Sequence, residues 1–283
     1  MMDNSFVACV VVTYNRLGCL KQCLNALRNQ SCQQFDIVVV NNGSTDGTTE
    51  FLAEQHDVIV IQQENLGGAG GFFAGMKYMM DCAKYSHVWL MDDDGVPDKN
   101  ELLNLLIGME EHHLDYANAL AIDEKTKTQT CAGEDLSSIS SSSTLHNHLY
   151  PFNGALYKRS LIEKVGLIKK EMFIWGDERE YTLRVKKAGA RCGSITNAIH
   201  YHPLFKGNFA YILPFVTIGK ISLKPEPMAK FYYRNIGYMD KVYHLGVGRK
   251  YILYFFFRCK FSKLFSFIKY YKLGYRNCYD VQI

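Results

Sequence analysis

Phe6-Val7-Ala8-Cys9-Val10-Val11-Val12-Thr13-Tyr14-Asn15-Arg16 is the stretch on which the fold turns. Residues 6–12 are apolar throughout and rich in β-branched side chains, the signature of a strand covered on both faces. Leu17, Leu20, Leu24 and Leu27 then recur at helical spacing. Further apolar runs at 37–40, 58–61 and 87–91, with a helix expected over 72–84, continue the alternation. Strand and helix in turn imply an α/β fold, a mostly parallel twisted sheet with helices on both faces. Ligands of such sheets sit beyond the carboxyl ends of the strands. Each of the first four strands runs there into a polar or glycine-rich segment: 13–16, 41–48, 65–71 and 92–95.

Downstream, the pattern gives a helix over 99–111, a serine-rich loop at 137–143, a strand at 154–157 and a helix at 160–165. From Asn208 the composition turns aromatic and basic, which divides the chain into an α/β domain, 1–207, and a helical extension, 208–283. A length of 283 residues accommodates both. The net charge of +4 is too small to argue for nucleic acid, but no Asp or Glu occurs between Asp240 and Asp280. Nine cysteines without a Cys-x-x-Cys pair fit reduced thiols in a cytosolic protein. The start, Met1-Met2-Asp3-Asn4, has no signal-peptide character, and Pro214 breaks the best apolar run, 209–218. The expectation is a soluble or peripheral protein.

Asp92-Asp93-Asp94 is the strongest chemical signal. Three adjacent carboxylates repel one another, and a hard divalent cation holding a phosphate relieves that repulsion. If the segment is extended, Asp92 and Asp94 share a face and Asp93 points elsewhere. A solvated acidic turn is the plainer alternative. The run Asn65-Leu66-Gly67-Gly68-Ala69-Gly70-Gly71 suits a phosphate cradle at a helix start, although its spacing matches neither the dinucleotide fingerprint nor the P-loop. Residues 41–48 suit a tight turn and a helix cap. In Trp175-Gly176-Asp177-Glu178-Arg179-Glu180, either Asp177 or Glu178 can serve as general base, or the acids simply begin a helix. His200 and His202 fall on one face of an extended stretch, and an imidazole joined to the aspartates favours manganese.

Taken in order, these segments resemble glycosyltransferase family 2 with its GT-A fold, over about residues 6–240. Glu64 to Phe72, Asp92-Asp93-Asp94-Gly95 and Tyr232-Tyr233-Arg234-Asn235 are similar to bacterial galactofuranosyltransferases, and rhamnosyltransferases share much of the pattern. The resemblance implies an inverting transfer from UDP-galactofuranose, with dTDP-rhamnose the second choice of donor, to a hydroxyl of a glycan or glycolipid acceptor. It implies donor contacts from Thr13, Asn15, Arg16, Asn42, Asn65, Gly70, Gly71, Asp92 and Asp93. A divalent Mn2+ or Mg2+ would be held by Asp92, Asp94 and His202, the latter followed by Pro203 and Phe205. The family's second acid is normally Asp where this chain has Glu178, so the base stays open between Glu178 and Asp177. A sugar nucleotidyltransferase and a non-catalytic glycan-binding protein are the rival classes. The basic and aromatic residues of 241–279 suit a helix lying on the cytoplasmic face of the membrane, or else one packed on the core or in an oligomer.

Overall fold

Strand β1 (Val7–Thr13) is buried along its whole length, and its two faces meet different helices. Val7, Cys9 and Val11 share a core with Leu20, Cys23, Leu24 and Leu27 of α1 (Leu17–Arg28). Then come β2 (Phe35–Asn41), α2 (Thr48–Ala53), β3 (Val58–Gln62) and α3 (Gly67–Asp81). On the other face of β1, Val10 and Val12 lie under α3. A methyl group at Gly75 would fall 2.2 Å from Val10 Cγ1, and one at Gly71 2.4 Å from Val12 Cγ1. The helix expected from residue 72 therefore starts five residues earlier. Its glycines cost helix propensity but let the helix backbone lie directly on the strand.

The chain continues through β4 (His87–Asp92), β5 (Val96–Pro97), α4 (Glu101–Glu111), β6 (Tyr116–Asp123), β7 (Leu145–His146), β8 (Asn153–Lys158), α5 (Arg159–Val165), α6 (Asp177–Lys187) and β9 (Cys192–His202). The structure is a computed structural model and describes residues 6–139, 145–146, 149, 152–204, 207–213 and 219–279. Residues 1–4, 140–143, Phe205 and Pro214, on which parts of the sequence reading fell, lie outside the described residues. Among those described, the strands form a nine-stranded sheet in the order β3-β2-β1-β4-β8-β6-β9-β5, with β7 on β9. The β3-β2-β1-β4 half is parallel, as the alternation requires. The other half is mixed, since β8 runs antiparallel to both β4 and β6, while β6 and β9 are parallel.

The chain divides into two compact units, residues 1–170 with 181–205, and residues 171–180 with 206–283. The second unit carries the antiparallel pair β10 (Asn208–Tyr211) and β11 (Lys220–Leu223), then α7 (Ala229–Tyr243), α8 (Val247–Phe257) and α9 (Phe261–Tyr275). Its core is aromatic: Tyr233, Tyr251, Tyr254, Phe255 and Phe267 are buried together with Ile221 and Ile236. Helices α7 and α9 touch through Gly237 and Gly274. A methyl at Gly237 would lie 2.0 Å from the Tyr271 carbonyl oxygen. Among the described residues no helix is long and apolar enough to cross a membrane.

Candidate active site

The carboxyl ends of β1, β2 and β4 are adjacent in the first unit, and most of the polar segments singled out in the sequence meet there. Strand β4 ends at Asp92, opposite Val12 of β1. The backbone then turns, with Gly95 N–H donating to the Asp92 carbonyl at 3.2 Å. The extended reading of the triplet is corrected here, because strand alternation stops at Asp92 and the next two aspartates are aimed by the turn. Asp93, 3% exposed, accepts from the Thr13 hydroxyl at 2.7 Å and from Arg16 at 3.2 Å. Asp94 takes the same Arg16 Nη1 at 2.6 Å and faces His202, whose Nε2 is 3.3 Å from Asp94 Oδ1. Arg16 thus clamps two of the three acids while its side chain stays half exposed.

The three carboxyls differ electrostatically. Burial, then the charges of Asp94 and Asp93, push Asp92 up to about 7. Burial pushes Asp93 up to about 6 against the pull of Thr13 and Arg16. Burial works against Asp94 as well, but contact with His202 and the charges of His202 and Arg16 outweigh it and hold Asp94 below the usual carboxylate range. His202 is destabilised as a cation by burial, yet Asp94 with Cys131 and the Pro203 carbonyl pushes it up to about 10. Its Nδ1 is 2.6 Å from that carbonyl, which orients Nε2 toward Asp94. His200, two residues back on β9, is instead buried against Glu101 of α4, 3.1 Å from both carboxylate oxygens. The pattern alone left both histidines on one face; their partners separate them.

Among the described residues no three His, Cys, Asp or Glu side chains are gathered into a metal cage. Of the set Asp92, Asp94 and His202, the last two are in contact. Asp94 Oδ1 is buried without a well-formed hydrogen bond. One carboxylate oxygen and one imidazole nitrogen at a strand end fit a Mn2+ or Mg2+ that completes its shell with phosphate oxygens and water.

The loops after β1 and β2 are locked together. Asn15, at φ 52°, donates its N–H to Ser44 Oγ at 3.0 Å and accepts from Thr45 N at 2.7 Å. Asp46 accepts from an N–H at the start of each of two helices, Leu17 N at 3.0 Å and Thr48 N at 3.3 Å, and from the Thr48 hydroxyl at 2.6 Å. The N-cap position of α2 is Gly47, which makes no side-chain bond, so the capping expected in 41–48 falls to Asp46 just before it. Asn42, 2% exposed, has a fully engaged amide: Nδ2 donates to Asn65 Oδ1 and the Gly67 carbonyl, and Oδ1 accepts from Gln63 Nε2 and Leu66 N. Its side chain is a strut between the β2 end and the start of α3, not a group left over for a nucleobase. Asn65 Oδ1 also accepts from Gly67 N at 2.9 Å. Gly70 and Gly71 are buried, and Gly71 packs on Val12, so these two are close-approach positions rather than a phosphate cradle.

Asp177 and Glu178 begin α6 in the second unit. Phe173, Trp175 and Gly176 before them all have positive φ, at 64°, 58° and 106°. Such a run needs outside support. Asn235 of α7, wholly buried, supplies it by donating Nδ2 to the carbonyls of Met172, Ile174 and Trp175 at 2.9, 3.2 and 3.0 Å. Arg234 donates to the Glu171 carbonyl. These positioning roles were missed in the sequence, where Arg234-Asn235 figured only as part of a resemblance. Asp177 is 4% exposed and pushed up to about 6 by burial, against its helix-terminal N–H bonds. Glu180 accepts from the Tyr243 hydroxyl at 2.8 Å. Glu178 is exposed.

Solved structures share this architecture. A mannosyltransferase from Pyrobaculum calidifontis, in complex with GDP-Man and Mn2+, superposes over 99% of this chain and 78% of its own at TM-score 0.55 and 13% identity. S. aureus TarS 1–349 in complex with UDP-GlcNAc does so over 89% and 71% at TM-score 0.56 and 17% identity. This chain spans 42% of a longer TarS chain. The fold is that of a GT-A glycosyltransferase. The profile described as glycosyl transferase family 2 matches residues 8–166, more than half of the chain, and the chain belongs to that family. It is also similar to a galactofuranosyltransferase of Mycolicibacterium smegmatis, 29% identical over 84% of each chain. A galactofuranosyltransferase of Mycobacterium tuberculosis is 31% identical over 82% of this chain and 81% of its own.

Proposed function

We propose that this glycosyltransferase is an inverting, metal-dependent galactofuranosyltransferase that uses UDP-galactofuranose and works at a membrane surface on a lipid-linked glycan acceptor. The observation that carries the reading is Asp94, ionised between Arg16 and His202 at the end of β4. Similarity to galactofuranosyltransferases along most of the chain supports the choice of sugar. In this reading Asp94 and His202, with Asp92 beside them, would hold the cation, His202 then serving as a neutral imidazole after giving up the proton it holds against Asp94. When bound, the cation supplies charge neutralisation to the diphosphate.

Glu178 is the proposed base. Asp177 is buried and spent on the helix start, whereas the Glu178 carboxylate is open to an acceptor hydroxyl arriving from solvent. Glu178 takes the hydroxyl proton as the oxygen attacks the anomeric carbon. The bond from that carbon to the diphosphate breaks, and the diphosphate leaves with the electron pair. One displacement inverts the centre without a protein nucleophile.

The test is release of nucleotide diphosphate by purified protein from UDP-galactofuranose and from dTDP-rhamnose, with Mn2+ and with excess chelator. The reading expects UDP release that chelation abolishes. Preference for dTDP-rhamnose would transfer the proposal to rhamnose, and full activity in chelator would remove the metal from it.

A further inference from the structure

Among the large apolar side chains of α8 and α9, a buried set and an exposed set flank the turn between the helices. Tyr251, Tyr254, Phe255 and Phe267 fill the core of the second unit. Leu253, Phe256, Phe257, Phe261 and Phe265 are exposed by 45, 55, 48, 48 and 69%. The exposed set is contiguous: the Phe256 ring lies 5.7 Å from Phe257 and 6.4 Å from Phe261, across the turn that joins the helices. Phe261 and Phe265 follow at one-turn spacing on α9. Soluble surfaces rarely present such a cluster without a partner.

The residues between these rings are cationic. Arg258 and Lys260 lie in the turn and Lys263 in the first turn of α9, with no carboxylate in the sequence between Asp240 and Asp280. Lys260 and Lys263, with Lys224, Tyr254, Phe255 and Glu226, line a cleft of about 350 Å3 in the same unit. Among the described residues, none of the three lysines has a carboxylate within ion-pair distance. Lys260 instead rests on Tyr254, 3.3 Å from its hydroxyl and 5.4 Å from the ring centre.

We infer that the α8–α9 tip is a lipid-docking surface for an anionic phospholipid bilayer, in which Phe256, Phe257, Phe261 and Phe265 enter the acyl boundary and Lys260 and Lys263 take lipid phosphates at the mouth of the cleft. The inference deepens the membrane-surface part of the proposed function and rests on it. Charge selects the occupant. A second copy docked tip to tip would set Arg258, Lys260 and Lys263 against themselves, because a two-fold interface apposes identical patches. An anionic bilayer offers apolar depth below and phosphate at the level the lysines reach.

The experiment is flotation of the full chain with phosphatidylcholine vesicles, with and without phosphatidylglycerol, at low and high salt. Two surface variants are compared with the unmodified protein: Phe257→Ser with Phe265→Ser, and Lys260→Gln with Lys263→Gln. Each basic residue is worth roughly fivefold in partitioning to an anionic surface, so the lysine pair is expected to cost roughly thirtyfold on phosphatidylglycerol vesicles at low salt. The phenylalanine pair is expected to lower binding to both vesicle types by at least about tenfold. Unchanged flotation in either variant overturns the proposal. So does a change in the sedimentation coefficient of lipid-free phenylalanine variant, which would make the tip a protein interface. Turnover of donor by unmodified protein with a lipid-free acceptor, run in parallel, separates the two readings: turnover without flotation removes the tip alone, and flotation without turnover removes the transferase proposal alone.

Discussion

The acids at the end of β4 and the acids at the start of α6 each include buried carboxylates, Asp93 in one and Asp177 with Glu180 in the other, yet they are held by opposite means. At β4 the partners are cations: Arg16 bridges Asp93 and Asp94, and His202 closes on Asp94 from β9. At α6 the supports are neutral, namely helix N–H groups for Asp177, the Tyr243 hydroxyl for Glu180, and Asn235 under the preceding loop. Of the acids at β4 only Asp94, placed between two cations, is held below its ordinary range and suited to binding charge, while Asp92 and Asp93 are raised by burial. A carboxylate buried among neutral dipoles has its pKa raised and holds its proton to higher pH. Under the proposed function this becomes a division of labour, with donor and cation at Asp94 and proton transfer at the exposed Glu178 rather than at the buried acids beside it.

The sharpest way to break that division is Asp94→Asn, which removes the one acid of the triplet held below its ordinary range. Donor turnover is expected to fall about a thousandfold in kcat/KM, the loss of several kcal/mol of charge stabilisation. Steady-state kinetics at saturating Mn2+ measure it. Next is Glu178→Gln, expected to lower kcat about a hundredfold with the donor KM unchanged. A rise in KM with kcat preserved would remove Glu178 from proton transfer.

Asn235→Ala removes the amide donor shared by three carbonyls, of which that of Met172 keeps a second donor in the Ile174 N–H, and is expected to cost about 1–3 kcal/mol of stability, together with a loss of kcat of about tenfold. Denaturant midpoints and kinetics on one preparation check both. The second centre also has a pH signature. The folded-state pKa of Asp177 is raised from 3.8 to about 6, so its buried carboxyl is neutral in the folded state at pH 4.5 and ionised at 7.5. A raised carboxylate pKa means stability lost as pH climbs from the unfolded to the folded value. Asp177→Asn should therefore gain on the unmodified protein between those two pH values, by at most about 3 kcal/mol. Urea midpoints at both pH values decide it, and a pH-independent difference contradicts the burial account.

The smallest effect concerns α3. Gly71→Ala places a methyl 2.4 Å from Val12 Cγ1 and is expected to destabilise by about 1–3 kcal/mol while the donor KM of the folded protein is unchanged. An altered KM at intact stability would return Gly71 to the donor site.

This last case shows where the sequence stops being legible. Residues 6–12 and the acids after residue 91 announce themselves, because a doubly covered strand needs an apolar run and a charge cluster at its end needs a reason. Glycine is ambiguous: a loop that approaches phosphate and a helix that approaches a strand both require a missing side chain. Gly67, Gly71 and Gly75 at four-residue spacing were the available clue to a helix face. Asn42 reads as a ligand until the four groups that occupy its amide are known, and those come from residues 21 to 25 positions away. The grouping of residues 171–180 with the second unit rests on contacts with Arg234 and Asn235 about sixty residues on, which no local pattern encodes.

Calorimetric titration of UDP with Mn2+ into the Asp94→Asn and Glu178→Gln variants tests the division of labour most directly. Asp94→Asn should show no binding, and Glu178→Gln should bind as the unmodified protein does while its kcat is lost. Equal binding by both variants, or loss of binding in Glu178→Gln, would contradict it.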